Sequence, residues 1–216
     1  ALPGQTTALI GANGAGKSTL VNLVPRFYDV TQGHVYVDGR DVREVRQKDL
    51  RRRIGYVPQK GVLLSGTIDS NLRYGREDAT DADIRTAAEV AQATEFIDAK
   101  PEGMQSPIAQ GGANVSGGQK QRLSIARALA KNPEIFIFDD SFSALDFQTD
   151  AALRKAIKAH TENATILLVA QRVSTILDAD QIIVLDEGKV VGKGTHKTLL
   201  KTCRTYYEIA SSQLTK

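Results

Sequence analysis

The segment Ile135–Asp140 constrains the fold of this chain more than any other. Ile135 to Phe138 are four large apolar residues in a row, and two carboxylates, Asp139 and Asp140, follow directly. A continuous apolar run of strand length is typical of a parallel strand covered on both faces. Charged side chains are rarely buried without a task, and ligands of open parallel sheets bind beyond the carboxyl ends of strands. The segment therefore predicts a parallel α/β sheet with a carboxylate at its edge that faces a metal ion or phosphate-bound water.

The stretch Gly11–Ser18 matches G-x-x-x-x-G-K-[ST] between a predicted strand, Thr6 to Ile10, and a short predicted helix ended by Pro25. Glycines let backbone N–H groups turn toward phosphate oxygens, and the start of the helix adds the positive end of its dipole. We expect Lys17 to reach the β- and γ-phosphates and the Ser18 hydroxyl to bind Mg²⁺. The alternative is a glycine-rich turn with an incidental lysine, which leaves the flanking strand and helix unexplained.

The phosphate cradle gives the acidic strand end a specific task. Behind such a cradle, Asp139 is expected to hold the magnesium shell, with Ser18 and water in between. A hydrophobic strand ending in an aspartate would be a weak signal alone. Paired with the cradle upstream, it predicts one nucleotide site.

Strand and helix patterns alternate along most of the chain, which predicts a mostly parallel sheet. Asp38-Gly39 between short apolar runs predicts an antiparallel hairpin. From about residue 67 to 130 the pattern is helical, and Thr80 with Asp83 marks one helix start. We therefore predict one domain over residues 1–216, with an α/β core at about 1–66 and 131–216 and a helical subdomain at about 67–130.

Composition excludes several classes of protein. The longest apolar runs have the length of strands and stay well short of the ~20 residues of a membrane-spanning helix. The net charge of +3 is too small to indicate nucleic acid, so no nucleic-acid partner is expected. Cys203 is the only cysteine, which excludes a disulfide framework within the chain.

Val115-Ser116-Gly117-Gly118-Gln119 identifies a family. Together with Gly11–Thr19, Gln59, Asp139 and Ser143–Asp146, it makes nearly the whole chain resemble the nucleotide-binding domain of an ABC transporter. The resemblance implies a P-loop NTPase fold with a RecA-like core, an antiparallel part near the N-terminus and an inserted helical subdomain. It also implies ATP and Mg²⁺ as cofactors. Standing alone, Ser-Gly-Gly-Gln is more often a plain helix cap.

The resemblance assigns site residues position by position. The nucleotide-binding set comprises Gly11, Asn13, Gly14, Ala15, Gly16, Lys17, Ser18, Thr19, Gln59, Ser116, Gly117, Gly118 and Gln119. The metal set comprises Ser18, Gln59 and Asp139, and the catalytic set comprises Asp140, Gln171 and Lys17. Ser116–Gln119 is expected to contact the γ-phosphate of ATP held by an opposing domain. Gln59 could instead be an ordinary exposed loop glutamine.

Several segments resemble exporters rather than importers, among them Arg26–Asp29 and Gly66–Gly75. The expected partners are a second nucleotide-binding domain and a transmembrane domain of the same polypeptide, at the cytoplasmic face of the cell membrane. The family stacks adenine on an upstream aromatic residue, and the first ten residues here contain none. We therefore expect this chain to be a piece of a longer polypeptide with weakened nucleotide affinity.

Two positions of the expected catalytic shell depart from the family pattern, and Gln110 departs outside it, where exporters usually carry Glu just before the signature. The family's catalytic base is Glu, and Asp140 stands here, while Gln171 replaces the histidine that contacts the γ-phosphate. Aspartate is one methylene shorter than glutamate, which withdraws the carboxylate by roughly 1–1.5 Å. A misplacement near 1 Å can cost about 10²-fold in rate. A glutamine amide neither becomes cationic nor relays a proton. Both changes are typical of the degenerate half of a heterodimeric bacterial multidrug exporter.

That resemblance predicts weak or no hydrolysis by the isolated domain. Its signature motif would complete a working site on a partner with intact Glu and His. Three alternatives are neutral drift at the two positions, a regulatory module that binds nucleotide without hydrolysis, and a soluble ABC-type ATPase not linked to transport. The last usually carries long coiled-coil insertions, which this sequence lacks.

Overall fold

The computed structural model describes residues 1–214, which form two compact units. The first unit comprises residues 1–54, 134–140 and the chain from 163 onward, and the second comprises residues 55–133 and 141–162. The strands, in chain order, are β1 (Thr6–Gly11), β2 (Tyr36–Val37), β3 (Arg40–Asp41), β4 (Ile54–Val57), β5 (Gly66–Thr67), β6 (Pro107–Ile108), β7 (Ile135–Asp139), β8 (Thr165–Val169), β9 (Gln181–Asp186) and β10 (Lys189–Gly194). The helices are α1 (Lys17–Asn22), α2 (Gln47–Arg52), α3 (Ile68–Arg73), α4 (Asp81–Val90), α5 (Thr94–Asp98), α6 (Gly117–Ala130), α7 (Phe147–His160), α8 (His196–Thr202) and α9 (Arg204–Leu214).

The first unit contains a mostly parallel sheet in which strands follow the order β10-β9-β1-β8-β7. β1 pairs in parallel with both β8 and β9, and β7 pairs in parallel with β8. Only the edge strand β10 is antiparallel to its neighbour β9 within this order. Ala8, Ile137 and Ile182 on these strands are 0% exposed, so the apolar runs form the core of the unit. The predicted parallel α/β fold is confirmed.

The sheet brings three functional segments to one edge. Because β1, β7 and β8 run in parallel, their carboxyl ends lie on the same side. The loop after β1 contains the glycine-rich stretch, β7 ends at Asp139, and the segment after β8 contains Gln171. These are the segments that the sequence assigns to phosphate, metal and catalysis.

The predicted hairpin is present as the antiparallel pair of β2 and β3. Asp38 and Gly39 have φ of 50° and 73°, the left-handed conformations that a two-residue type I′ turn requires at both positions. The predicted antiparallel part near the N-terminus is therefore confirmed.

Helix α1 is shorter than the sequence predicted. It ends at Asn22 instead of continuing to Pro25. Leu23 N–H donates to Leu20 and Val24 N–H donates to Val21, at 3.3 and 3.2 Å, so the last turn tightens before the proline. The ring of Pro25 disfavours the helical conformation of the preceding residue, Val24, which explains why the helix ends early.

The second unit is mainly helical. Helix α4 starts with the predicted capping box, in which Thr80 accepts from Asp83 N–H at 3.1 Å and Asp83 accepts from Thr80 N–H at 3.0 Å. Ile84 and Ala88 lie one helical turn apart on this helix and are buried at 2% and 0% exposure. The segment 67–130 lies inside this unit, which also includes residues 141–162.

The C-terminal stretch forms two consecutive helices, α8 and α9. Cys203 separates α8 from α9 with extended backbone angles of −127° and 106°. Its side chain is 6% exposed, and its thiol donates to the Val191 carbonyl at 3.8 Å. Among residues 1–214, no helix is both long enough and apolar enough to cross a membrane.

Candidate nucleotide-binding site

The loop after β1 has the backbone geometry of a phosphate cradle. Gly14 and Gly16 adopt φ of 81° and 98°, which side-chain-bearing residues rarely reach. At Gly11 a Cβ atom would lie 2.1 Å from the Leu185 carbonyl oxygen, so only glycine fits. Gly16 precedes α1 and offers no side chain to cap its first N–H groups. Those N–H groups remain suited to an anionic partner.

Lys17 lies folded into this loop. Its Nζ donates to the carbonyl oxygens of Gly11 and Ala12, at 2.9 Å each, and the residue is 8% exposed. Burial lowers the pKa of the Lys17 ammonium, while the negative charges of Asp140 and Asp139 oppose that effect. The ammonium therefore lies among backbone carbonyls and carboxylates, in the loop whose geometry suits phosphate.

Ser18 and Asp139 are in direct contact although they lie far apart in sequence. The Ser18 hydroxyl donates to Asp139 Oδ1 at 2.7 Å, and Asp139 is only 6% exposed. A hydroxyl and a carboxylate are hard oxygen ligands of the kind that Mg²⁺ takes at nucleotide sites. The residues present therefore fit the metal that the sequence predicted.

Asp140 and Gln171 form a second pair at the same edge. Gln171 Nε2 donates to Asp140 Oδ2 at 2.7 Å, and Asp140 is 7% exposed. The backbone of Asp140 has φ of 50°, and its N–H donates to the Val169 carbonyl at 3.0 Å. The sequence marked both positions as departures, but it did not indicate that their side chains would bond to each other.

A residue of the C-terminal helix that the sequence did not mark bonds to the backbone of Gln171 and of Val173. Gln213 Nε2 donates to the Gln171 carbonyl at 2.8 Å, and Gln213 Oε1 accepts from Val173 N–H at 2.7 Å. About forty residues separate the two segments, and no short motif includes Gln213. Only the fold could reveal this contact.

The two units divide the predicted site residues between them. Gly11, Asn13, Gly14, Ala15, Gly16, Lys17, Ser18, Thr19, Asp139, Asp140 and Gln171 belong to the first unit, and Gln59, Ser116, Gly117, Gly118 and Gln119 belong to the second. Gln59 is exposed. In the second unit, Ser116 and Gln119 form a capping box at the start of α6.

That capping box engages both polar side chains of the predicted signature motif. Gln119 N–H donates to Ser116 Oγ at 3.2 Å, and Ser116 N–H donates to Gln119 Oε1 at 3.1 Å. Ser116 and Gly117 are exposed in the chain. Ser116 and Gln119 therefore do cap the helix, as the alternative interpretation requires. The helix start is nevertheless exposed, so a ligand can still reach it.

Comparisons with known proteins agree on the family. A family model described as ABC transporter matches residues 2–143. An uncharacterized ABC transporter ATP-binding protein of Mycobacterium bovis is 51% identical over 216 residues, which cover 99% of this chain and 37% of that protein. A Staphylococcus aureus protein with the provisional name multidrug export ATP-binding/permease protein is 42% identical over 210 residues, 97% of this chain and 36% of its own length.

A solved structure has the same fold. The structure of a bacterial Atm1-family ABC exporter with ATP bound superposes with a TM-score of 0.94 at 40% sequence identity. The match covers 97% of this chain and 37% of that one. This chain therefore spans just over a third of the length of the proteins it resembles.

Proposed function

This chain belongs to the ABC transporter family, and on that premise we propose that it is the ATP-binding domain of an exporter. The observation that carries the proposal is the Ser18–Asp139 hydrogen bond of 2.7 Å beside the folded-in Lys17. It joins the two halves of a nucleotide site at one sheet edge. The similarity to an exporter structure with ATP bound supports ATP as the ligand.

The residues of this edge have distinct tasks in the proposal. MgATP, when bound, supplies the phosphoanhydride bond whose cleavage drives the family's work. Lys17 binds the β- and γ-phosphates, and Ser18 and Asp139 hold the metal through oxygen atoms. Gly11–Thr19 supplies backbone N–H groups, and Gln59 is proposed to approach the metal from its loop.

Nucleotide binding tests this part of the proposal directly. We expect Lys17→Ala to weaken MgATP binding about 30-fold or more in calorimetry, since it removes charge-assisted bonds to phosphate. Lys48→Ala is the matched control, because it removes the same charge from an exposed position on α2. Equal affinity of both variants for MgATP would show that the cradle does not bind the nucleotide as proposed.

We further propose that the chain's own ATP site hydrolyses slowly. The support is the Asp140–Gln171 bond of 2.7 Å. Asp140 stands where the family has glutamate, so its carboxylate falls short by roughly 1–1.5 Å, and one of its oxygens is already taken by the Gln171 amide. Such a shift of the base from the attacking water costs about 10²-fold in rate. The amide cannot compensate, because it carries no titratable proton.

The double variant Asp140→Glu/Gln171→His tests this second part. We expect its steady-state ATP turnover to exceed that of the unmodified protein by about 100-fold. Lys48→Ala, compared in the same assay, should leave turnover unchanged. A protein that already turns over at ~1–10 s⁻¹, as ordinary enzymes do, would contradict the slow site.

The assembly is also part of the proposal. We propose that the exposed Ser116–Gln119 helix start completes the site of a second nucleotide-binding domain, one that carries Glu and His at the positions of Asp140 and Gln171. A transmembrane domain of the same polypeptide would place this pair at the cytoplasmic face of the membrane. The support is that the relatives and the similar exporter are each much longer than this chain.

A further inference from the structure

Helix α9 belongs to the first unit and packs on the rest of it along one helical face, which ends at the exposed Gln213. Tyr206 and Ala210 are 0% and 1% exposed, and Gln213 follows at the next helical spacing, i+7 from Tyr206. The Tyr206 hydroxyl bonds to His196 Nδ1 at 2.8 Å, which ties α9 to α8. The helix is therefore anchored at one end by a buried aromatic residue, and its last turn presents an amide.

That amide meets the backbone of the segment that follows β8, here called the switch segment (Gln171–Val173). Gln213 Oε1 accepts from Val173 N–H at 2.7 Å, and Gln213 Nε2 donates to the Gln171 carbonyl at 2.8 Å. A side-chain amide is the group that matches an N–H and a C=O two residues apart, since it has an acceptor and donors on one plane. The pair of bonds spans Arg172, whose backbone is extended at −99° and 127°.

The Val173 N–H needs such a partner. Val173 is 0% exposed and begins a short 3₁₀ helix, Val173–Thr175, which receives no side-chain cap from Arg172. The first N–H groups of a helix lack partners within the helix, and leaving one buried and unbonded costs stability. Gln213 thus fills a requirement that the switch segment does not meet by itself.

We propose that Gln213 is a positioning residue for the switch segment. Its two bonds fix the backbone on both sides of Arg172, and this holds the side chain of residue 171 toward the carboxylate of residue 140. The contacts reach only backbone atoms, so they are independent of whether residue 171 is Gln or His. The effect on turnover rests on the proposed function, whereas the effect on the backbone does not.

Three substitutions separate the components of the contact. Gln213→Met keeps the length of the side chain and removes both hydrogen bonds. Gln213→Glu keeps the acceptor for Val173 N–H but places a carboxylate against the Gln171 carbonyl. Ser212→Ala is the matched control on the same turn, because within residues 1–214 the Ser212 hydroxyl bonds only to Ile209, inside the helix.

Amide hydrogen exchange in the intact protein is the first test. We expect the Val173 amide to exchange about five- to tenfold faster in Gln213→Met, the change that the loss of one hydrogen bond brings. Gln213→Glu should retain protection at Val173, since its carboxylate still accepts, and Ser212→Ala should match the unmodified protein. Unchanged exchange at Val173 in Gln213→Met overturns the inference, and so does equal loss of protection in Gln213→Glu and Gln213→Met.

Turnover provides the second test, in the background Asp140→Glu/Gln171→His. Adding Gln213→Met should lower kcat about tenfold while KM for ATP stays constant, because the bonds of Gln213 go to the switch segment, whereas Lys17 bonds to Gly11 and Ser18 to Asp139. An unchanged kcat, or a rise in KM alone, contradicts the inference. If the background variant itself fails to hydrolyse ATP, the slow-site proposal fails, and the exchange result alone decides on Gln213.

Discussion

At the residue scale, Asp140 and Gln171 act as one unit. Their side chains are joined at 2.7 Å, and the backbone of Asp140 is held at φ of 50°, a left-handed conformation that is costly for a residue with a side chain. A strained backbone is maintained only where the surroundings fix it. The two side chains therefore form one hydrogen-bonded pair at the sheet edge, and a change at either position alters the surroundings of the other.

Because the two residues are in contact, substitutions at them should not be additive. We expect Asp140→Glu alone and Gln171→His alone each to raise ATP turnover less than tenfold, while both together raise it about 100-fold. Asp140→Glu alone leaves the new glutamate bonded to the Gln171 amide, and Gln171→His alone leaves the new histidine beside the shorter aspartate. Steady-state turnover of all four proteins measures this. Strict multiplication of the two single effects would show that the residues act independently.

At the element scale, the sequence predicts those features whose partners lie close together in the chain. Thr80 and Asp83 cap α4 across three residues, and Asp38-Gly39 closes the β2–β3 turn, so both were predictable from local chemistry. Ser18 and Asp139 are 121 residues apart, and here a motif at each end made the contact predictable.

Other features could not be predicted because they depend on packing between elements. Gln213 reaches the switch segment only after α9 has packed by way of Tyr206, and a glutamine near a helix end carries no distinguishing local signal. The break at Cys203 likewise depends on contact with β10, where a Cβ atom at Gly192 would lie 2.7 Å from the Cys203 sulfur. In both cases the local sequence allows several structures, and the tertiary contact determines which one forms.

The β2–β3 hairpin carries an acid-sensitive contact. Asp41 accepts from Arg43 N–H at 2.9 Å and from the Arg43 side chain, and His34 Nδ1 lies 2.6 Å from its carboxylate. These bonds, chiefly those from Arg43, hold the pKa of the Asp41 carboxyl well below its usual range. The folded state thus binds fewer protons than the unfolded state in acid, and the stability from Asp41 is lost as pH falls below its unfolded pKa of 3.8.

Urea unfolding between about pH 5 and pH 2.5 measures this effect. We expect Asp41→Asn to be less stable than the unmodified protein near pH 5 and to lose less stability on acidification. Asp178→Asn, which removes an exposed carboxylate outside the hairpin, should follow the pH dependence of the unmodified protein. Parallel curves for Asp41→Asn and the unmodified protein would show that the Asp41–Arg43 contact does not govern acid stability.

At the scale of the whole molecule, the chain is proposed to carry parts of two different sites. Lys17, Ser18 and Asp139 belong to its own cradle, while the exposed Ser116–Gln119 helix start is proposed to serve a partner. A two-fold arrangement of two such domains would place each cradle against the other's signature motif. The function of either site then depends on residues of both subunits.

Mixing two inactive variants tests this arrangement. One copy carries Asp140→Glu/Gln171→His with Ser116→Arg, and the other carries Lys17→Ala. Neither should hydrolyse ATP alone, but the mixture should regain up to about a quarter of the rate of the Asp140→Glu/Gln171→His protein, as random pairing of two copies allows. A mixture without activity, or full activity in the Ser116→Arg copy alone, would contradict the shared site.

The central claim is that this domain binds ATP but hydrolyses it slowly. The rate at which bound ATP is converted to ADP measures this most directly. The protein, in excess over radiolabelled MgATP and above the dissociation constant of the complex, is kept at 25 °C and denatured at intervals, and the ATP and ADP are separated. We predict that ATP persists in the unmodified protein about 100-fold longer than in Asp140→Glu/Gln171→His. Conversion of bound ATP to ADP at the same rate in both proteins would contradict the account.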